Sequence, residues 1–204
     1  MNPYEVVFSL EKRIAEWAGA PFCVAVESGS AAIFLSLQWV NRTGEWDGSV
    51  VTLPARTYPS VPCSVIHAGM RVAFHDYKWE GEYKLHPFNI WDAALRFRKG
   101  MYQGGFQCLS GHIKKRLNVG RAGFILLEDE EAYEWLKRAR FDGRNPVPLQ
   151  EDNITQLGWN LYLSPDQAAR AIQLFEVLRD KENPDLDMEE QHYSDLSQYP
   201  IYQQ

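Results

Sequence analysis

Apolar side chains recur at helical spacing near the start of the chain, at Val6, Val7, Leu10, Ile14 and Trp17, and the run stops at Gly19-Ala20-Pro21. That spacing predicts an amphipathic helix over 4–18. Phe22 to Val26 is a short unbroken apolar run, as expected of a strand buried on both faces. Glu27-Ser28-Gly29-Ser30 interrupts it, and Ala31 to Val40 then predicts a buried helix. A turn over 41–48 leads into a strand over 49–53, followed beyond Pro54 by a helix over 59–68 and a strand over 71–74. The stretch 75–90 has no period, while strand-like runs return near 88–91, 105–109 and 123–127. Helices are predicted over 129–139 and 165–179, the latter with Ser164 at its N-cap and Pro165 at its first position. Strands alternating with helices argue for an α/β protein: three layers, helices on both faces of a mostly parallel sheet.

A length of 204 residues with 45% apolar content can bury one substantial core. No window reaches the roughly 18 apolar residues of a membrane span. The first 20 residues carry Glu5, Glu11, Lys12, Arg13 and Glu16, unlike a secretory signal. Cys23, Cys63 and Cys108 make an odd count inside apolar runs, which suits buried, reduced thiols and a cytoplasmic location. Charge divides the chain unevenly. Seven acids and one base fall in residues 180–204, whereas residues 1–179 balance 20 bases with 20 acids. Residues 1–179 are therefore expected to form the domain and 180–204 an acidic, loosely held tail. Within the domain, residues 96–144 hold eleven bases against six acids.

Four segments carry candidate chemistry. Ser28-Gly29-Ser30-Ala31-Ala32 lies where a strand gives way to a helix, and N–H groups at such a terminus, with a hydroxyl, can seat a phosphate. Pro54-Ala55-Arg56-Thr57-Tyr58 places a ring just past a strand. Ile90-Trp91-Asp92-Ala93-Ala94 ends an apolar run in one acid, whose burial requires a cationic or N–H partner. Ser110 to Leu117 contains Lys114 and Lys115 ahead of Gly120-Arg121-Ala122-Gly123.

In this order the segments resemble the DegT-type family of pyridoxal-phosphate-dependent sugar aminotransferases, of fold type I. The family's Ser-Gly-Thr-Ala-Ala-Leu is similar to Ser28–Ala32, and its Pro-x-x-Thr-aromatic to Pro54–Tyr58. Its Glu-Asp-Ala-Ala is similar to Trp91–Ala94, and its Ser-Phe-His-x-x-Lys-x-Leu to Ser110–Leu117. Gly158-Trp159-Asn160 with Gln167-Ala168-Ala169 is similar to a further family element, so that the likeness spans residues 4–178. The resemblance implies a minimal cofactor-binding large domain. Lys115 would bind the cofactor aldehyde as an imine, Asp92 would face its ring nitrogen, and Tyr58 would stack on the ring. Gly29, Ser30, Ala31 and Ser110 would hold its phosphate. Asn160 would reach a neighbouring subunit's site, implying a homodimer; His112 is left as a turn residue.

The chain also departs from that pattern. Only some fourteen residues separate Asp76 from Trp91 where the family spends several dozen, nothing after 179 matches its small C-terminal domain, and Leu95 stands where relatives often carry Gln or His. The leading expectation is an aminotransferase-type enzyme acting on an amine or amino acid, with a nucleotide-linked sugar as acceptor. A second is a decarboxylase acting on an amino-acid-modified nucleic-acid base, drawn to the basic middle segment. A third is a non-catalytic relic, against which the joint presence of Lys115, Asp92 and Ser30 argues.

Overall fold

Alternate residues of the buried strands feed two different cores, which is why these strands read as continuous apolar runs. The computed structural model describes residues 2–48 and 50–203; Ser49, the expected first residue of one strand, lies outside them. In β1 (Phe22–Val26), Cys23 and Ala25 point to one side while Val24 and Val26 point to the other. In β7 (Gly123–Leu127), Phe124 and Leu126 join the first set, and Ile125 and Leu127 the second. One core is closed by α1 (Glu5–Ala18) and α5 (Pro165–Leu178), through Leu10, Ile14, Ala168, Ala171 and Phe175. The other is closed by α2 (Gly29–Thr43), α3 (Ser60–His67) and α4 (Glu130–Ala139), through Ile33, Leu35, Leu37, Val61, Val65 and Leu136. Three layers result, as expected. A buried Arg140–Glu11 ion pair ties α1 to the end of α4, and Glu11 also accepts from the Ala25 N–H of β1 at 2.7 Å.

The remaining strands are β2 (Val50–Pro54), β3 (Arg71–His75), β4 (Tyr83–Lys84), β5 (Ile90–Asp92) and β6 (Phe106–Ser110). The main sheet has the order β1-β7-β6-β5-β4, with β2 and β3 forming a separate parallel pair. The Thr52 N–H donating to the His86 carbonyl at 2.8 Å links that pair to the segment following β4. Three of the five strand pairings (β1 with β7, β6 with β7, β4 with β5) are antiparallel, so the sheet is mixed in its neighbours. Its directions are nevertheless mostly parallel: β1, β2, β3, β5 and β6 point one way, and only β7 and the two-residue β4 oppose them. The C-terminal ends of β1, β2, β5 and β6 therefore open onto one edge. In sheets of this kind that edge is where ligands bind.

The expectation of a loosely held acidic tail is corrected by the structure. Met188 and Leu196 are each 3% exposed. Asp185 pairs with Arg96, Asp195 with Arg56, and Glu189 with Lys78. The Leu186 N–H donates to the Leu95 carbonyl at 2.9 Å, the Gly81 N–H to Leu186 at 3.1 Å, and the Leu196 N–H to Ala55 at 2.8 Å. Net charge concealed this, because the acids answer bases on the body and the apolar residues between them act as anchors. Of the cysteines, Cys23 and Cys108 are buried and unpaired as expected, whereas Cys63 is only half-buried. No helix among the described residues is long and apolar enough to cross a membrane.

Removing residues 184–204 should cost about 3–6 kcal/mol through the lost burial of Met188 and Leu196. The thermal midpoint should fall by roughly 10 °C or more. An unchanged midpoint in a thermal melt would show that the segment is not held as described.

Candidate active site

The site begins where β1 hands over to α2. Ser28 is the N-cap, its Oγ accepting from the Ala31 N–H at 3.1 Å. The turn is squeezed between two strands. A Cβ on Gly123 would come within 2.1 Å of the Ser28 carbonyl oxygen, and one on Gly29 within 3.0 Å of Ser110 Cβ. Glycine at these two positions lets the start of α2 sit directly on the ends of β6 and β7. The Ser30 hydroxyl faces the start of a second helix, donating to Ser60 Oγ at 2.6 Å on the first residue of α3. Ser110 Oγ, at the end of β6, accepts from the His112 N–H at 3.3 Å. Three hydroxyls and a helix N-terminus thus converge on one place, an arrangement suited to an anion.

Asp92 ends β5 and is only 4% exposed. Its Oδ2 accepts from the Tyr83 hydroxyl at 2.8 Å, and its Oδ1 from the Ala94 N–H at 3.0 Å. Tyr83 lies opposite it in the β4–β5 ladder and is held from behind by Thr57, with 2.6 Å between the two hydroxyl oxygens. Burial pushes the Asp92 carboxyl above its usual range; the Tyr83 and Ala94 hydrogen bonds and the charge of Lys115 offset part of that rise. Lys115 lies in the loop after β6, half-buried. Burial lowers its amine below the usual lysine value, against the opposing pull of Asp92 and with help from neighbouring Lys114. Lys115 Nζ donates to the Tyr193 hydroxyl at 3.3 Å.

These groups surround one cleft of about 1200 Å³, whose lining includes Gly29, Ser30, Ala31, Tyr58, Asp92, Ser110 and Lys115. Seven of the eight residues singled out from sequence are therefore brought together. Ala31 contributes its side chain but not its N–H, which the Ser28 cap already occupies. Tyr58 stands at the mouth, 57% exposed, with its ring edge-on to Tyr193 at 6.5 Å between centroids. Asn160 is the exception: it sits exposed outside the cleft, its side-chain amide donating to Asp142 Oδ2 at 3.0 Å. His112 is in the turn as expected, its Nδ1 accepting from the Lys114 N–H at 3.3 Å. Thr57, Ser60, Tyr83 and Tyr193 were not singled out from sequence. Pro59-Ser60, directly after the Tyr58 ring, was a readable helix start; Tyr83 and Tyr193 carried no local signal.

The basic middle segment is partly answered by acids. Arg96 pairs with Glu82 and Asp185, Arg98 with Asp185, Arg121 with Glu27, Lys137 with Glu134, Arg140 with Glu11, and Arg144 with Asp152. About half of its bases are thereby answered locally, which reduces the field that would draw in a polyanion. Among the described residues, no group of His, Cys, Asp and Glu is arranged to hold a metal ion.

Folding raises the Asp92 pKa, so the folded chain holds that proton more tightly than the unfolded one. The stability this contributes is complete below the unfolded carboxyl range and is lost as pH climbs through the raised value. In Asp92→Asn no such loss occurs. The variant's thermal midpoint relative to that of the unmodified chain should therefore rise as pH climbs above the ordinary carboxyl range of about 4. A difference that stays flat over that climb would show that the carboxyl is not desolvated as described.

Comparison with known proteins agrees with this geometry. Residues 1–101 match the DegT/DnrJ/EryC1/StrS aminotransferase family. A comparison with curated protein sequences gave no match. Among solved structures, a protein of Actinomadura melliaura superposes with a TM-score of 0.73 at 18% identity, over 86% of this chain and 61% of that one. A DegT DnrJ EryC1 StrS aminotransferase from Brucella abortus gives 0.71 at 19%, over 87% and 60%. Helicobacter pylori PseC, an aminotransferase involved in the biosynthesis of pseudoaminic acid, gives 0.70 at 14%, over 84% and 57%. The chain thus spans about three fifths of the length of these structures. Residues 1–101 are thus similar in sequence to the DegT/DnrJ/EryC1/StrS aminotransferase family, and the chain has the fold of the type I large domain.

Proposed function

We propose that the cleft binds pyridoxal 5′-phosphate and that the chain is an aminotransferase-type enzyme acting on an amine or amino acid. The observation that carries this reading is the pairing of a buried carboxylate at Asp92 with a depressed lysine amine at Lys115 on the same cleft as three converging hydroxyls. When bound, pyridoxal phosphate supplies an aldehyde that condenses with amines and a protonated ring that takes up the electron pair released at the substrate carbon.

The residues present fit that group. Ser30, Ser60 and Ser110, with the free end of α2, bind a phosphate by hydrogen bonds and helix polarity. Asp92, desolvated and fixed by Tyr83 and Ala94, holds a proton on a ring nitrogen by presenting a negative charge where water cannot screen it. Tyr58, at the cleft mouth, would stack on the ring. Lys115 Nζ would hold the aldehyde carbon and, when free, would serve as the base that moves a proton at the substrate's α-carbon. Burial keeps the amine unprotonated more of the time at neutral pH, as both tasks require. The keto group of a nucleotide-linked sugar is the proposed acceptor, by analogy with the relatives, and a cytoplasmic homodimer is the proposed assembly. The decarboxylase alternative draws on an open cleft mouth and on the basic segment, and the ion pairs of Arg96, Arg98, Arg121, Lys137, Arg140 and Arg144 weaken the second of these supports.

The purified chain, or the chain supplied with pyridoxal phosphate and then freed of the excess, should be yellow. Borohydride should bleach it and leave a mass increment on Lys115, and Lys115→Ala should remain colourless. A preparation of the unmodified chain that stays colourless with added cofactor would reject the proposal. Ser30→Ala should weaken cofactor affinity by about 10- to 150-fold, the worth of one hydrogen bond to a charged group. Equal affinity in a spectroscopic titration would remove Ser30 from the phosphate seat.

A further inference from the structure

Residues 180–204 cross the body as a strap, and its fastenings sit beside the site. Leu196 is held by Ala55, just before Thr57 and Tyr58; Leu186 is held by Gly81, two residues before Tyr83, and by Leu95, three residues after Asp92. Arg96 fastens the same stretch from within. It pairs with Asp185 and with Glu82, both almost wholly buried, and Glu82 in turn accepts from Gln107 at 2.7 Å. Between the fastenings, Gln191, His192, Tyr193 and Ser194 line the cleft. The Tyr193 ring lies parallel to Trp79 at 6.2 Å between centroids, and Trp79 packs against Tyr83 at 4.7 Å while donating to the Arg56 carbonyl at 2.9 Å. The phenol is thereby fixed by its ring, with its hydroxyl left on the amine of Lys115.

We propose that Tyr193 is a positioning residue for Lys115, a hydroxyl delivered by the C-terminal strap that holds the amine aimed into the cleft in both of its protonation states. The inference rests on Lys115 being the reactive amine of the proposed function. A phenol suits this position because it is neutral and two-sided: it accepts from an ammonium and donates to an amine. A carboxylate there would hold only the ammonium and oppose loss of its proton. Burial and the charge of Asp92 keep the Tyr193 hydroxyl protonated. The groups that act on the Lys115 amine are Asp92 at the end of β5, Lys114 beside it and Tyr193 on the strap, and Glu27, Tyr58, His67, His112, Arg121 and His192 are the other titratable groups on the same cleft.

Tyr193→Phe keeps the ring against Trp79 and removes only the hydroxyl, so its thermal midpoint should match that of the unmodified chain. Two measurements on the full chain then read the hydroxyl. The first is borohydride-trapped pyridoxal phosphate, mapped by mass spectrometry on Lys115 and on the adjacent, exposed Lys114. The Lys115-to-Lys114 ratio should fall about tenfold in Tyr193→Phe, because an amine displaced by even 1 Å loses its alignment. The second uses formaldehyde with cyanoborohydride, which needs no cofactor site. The pH profile of Lys115 methylation should move to lower pH, since the lost bond to the ammonium is stronger than the one to the amine. A ratio and a profile both equal to those of the unmodified chain overturn the proposal. A higher Lys115 ratio also overturns it, making the phenol an obstacle in the cofactor's place. If the unmodified chain takes up no pyridoxal phosphate, the proposed function fails, and the formaldehyde profile alone still decides the role of Tyr193.

Discussion

A carboxylate kept from water at the end of β5 is the constraint on which the rest of the site is arranged. An isolated buried charge would be too costly to keep ionised, so Asp92 requires donors on both oxygens and a cation within reach. The chain supplies the donors from two sides, a backbone N–H just downstream and a phenol across the ladder. It supplies the cation as Lys115, whose own burial depresses it. Each partner of the pair therefore makes the other's unusual environment tolerable, and the cleft between them is where a ring carrying a basic nitrogen and an aldehyde would satisfy both.

The large elements could be read from the sequence because burial on both faces leaves a strong local mark. β1 and β7 are uninterrupted apolar runs whose alternate residues enter separate cores, and α2 is apolar nearly all round because it is covered by strands and helices alike. The ends of β1, β5 and β6, with Ser30, Asp92 and Ser110, were legible for the same reason, since turn chemistry follows each run. β4 was not, being two residues long and defined only by its partner on β5. With it went Tyr83 and the hydroxyl relay from Thr57.

The acidic segment was misread for a different reason. Net charge and low apolar content describe a chain in isolation, and both are blind to complementary bases placed elsewhere. Arg96, Arg56 and Lys78 stand about 90 to 140 residues away from the acids they meet. Leu186, Met188, Tyr193 and Leu196 were the available signal: apolar residues spaced through an otherwise polar stretch, as in a segment laid along a surface rather than folded on itself. Asn160 is a different case: its proposed place is in a neighbouring subunit's site, and within its own chain it is exposed and bonded to Asp142.

The ladder between β4 and β5 has one last consequence. Side chains alternate along a strand, so what faces Asp92 is decided by a pairing of only two residues on each side. A slip of one position would set Glu82 or Lys84 across from the acid and swing the phenol to the opposite face of the sheet. Glu82 is already committed to Arg96 and Gln107, and Lys84 lies over the ring of Trp91. Those flanking commitments act as a ratchet pawl on either side of Tyr83, so that the alignment of the shortest strand in the molecule is guarded by side chains that never enter the cleft.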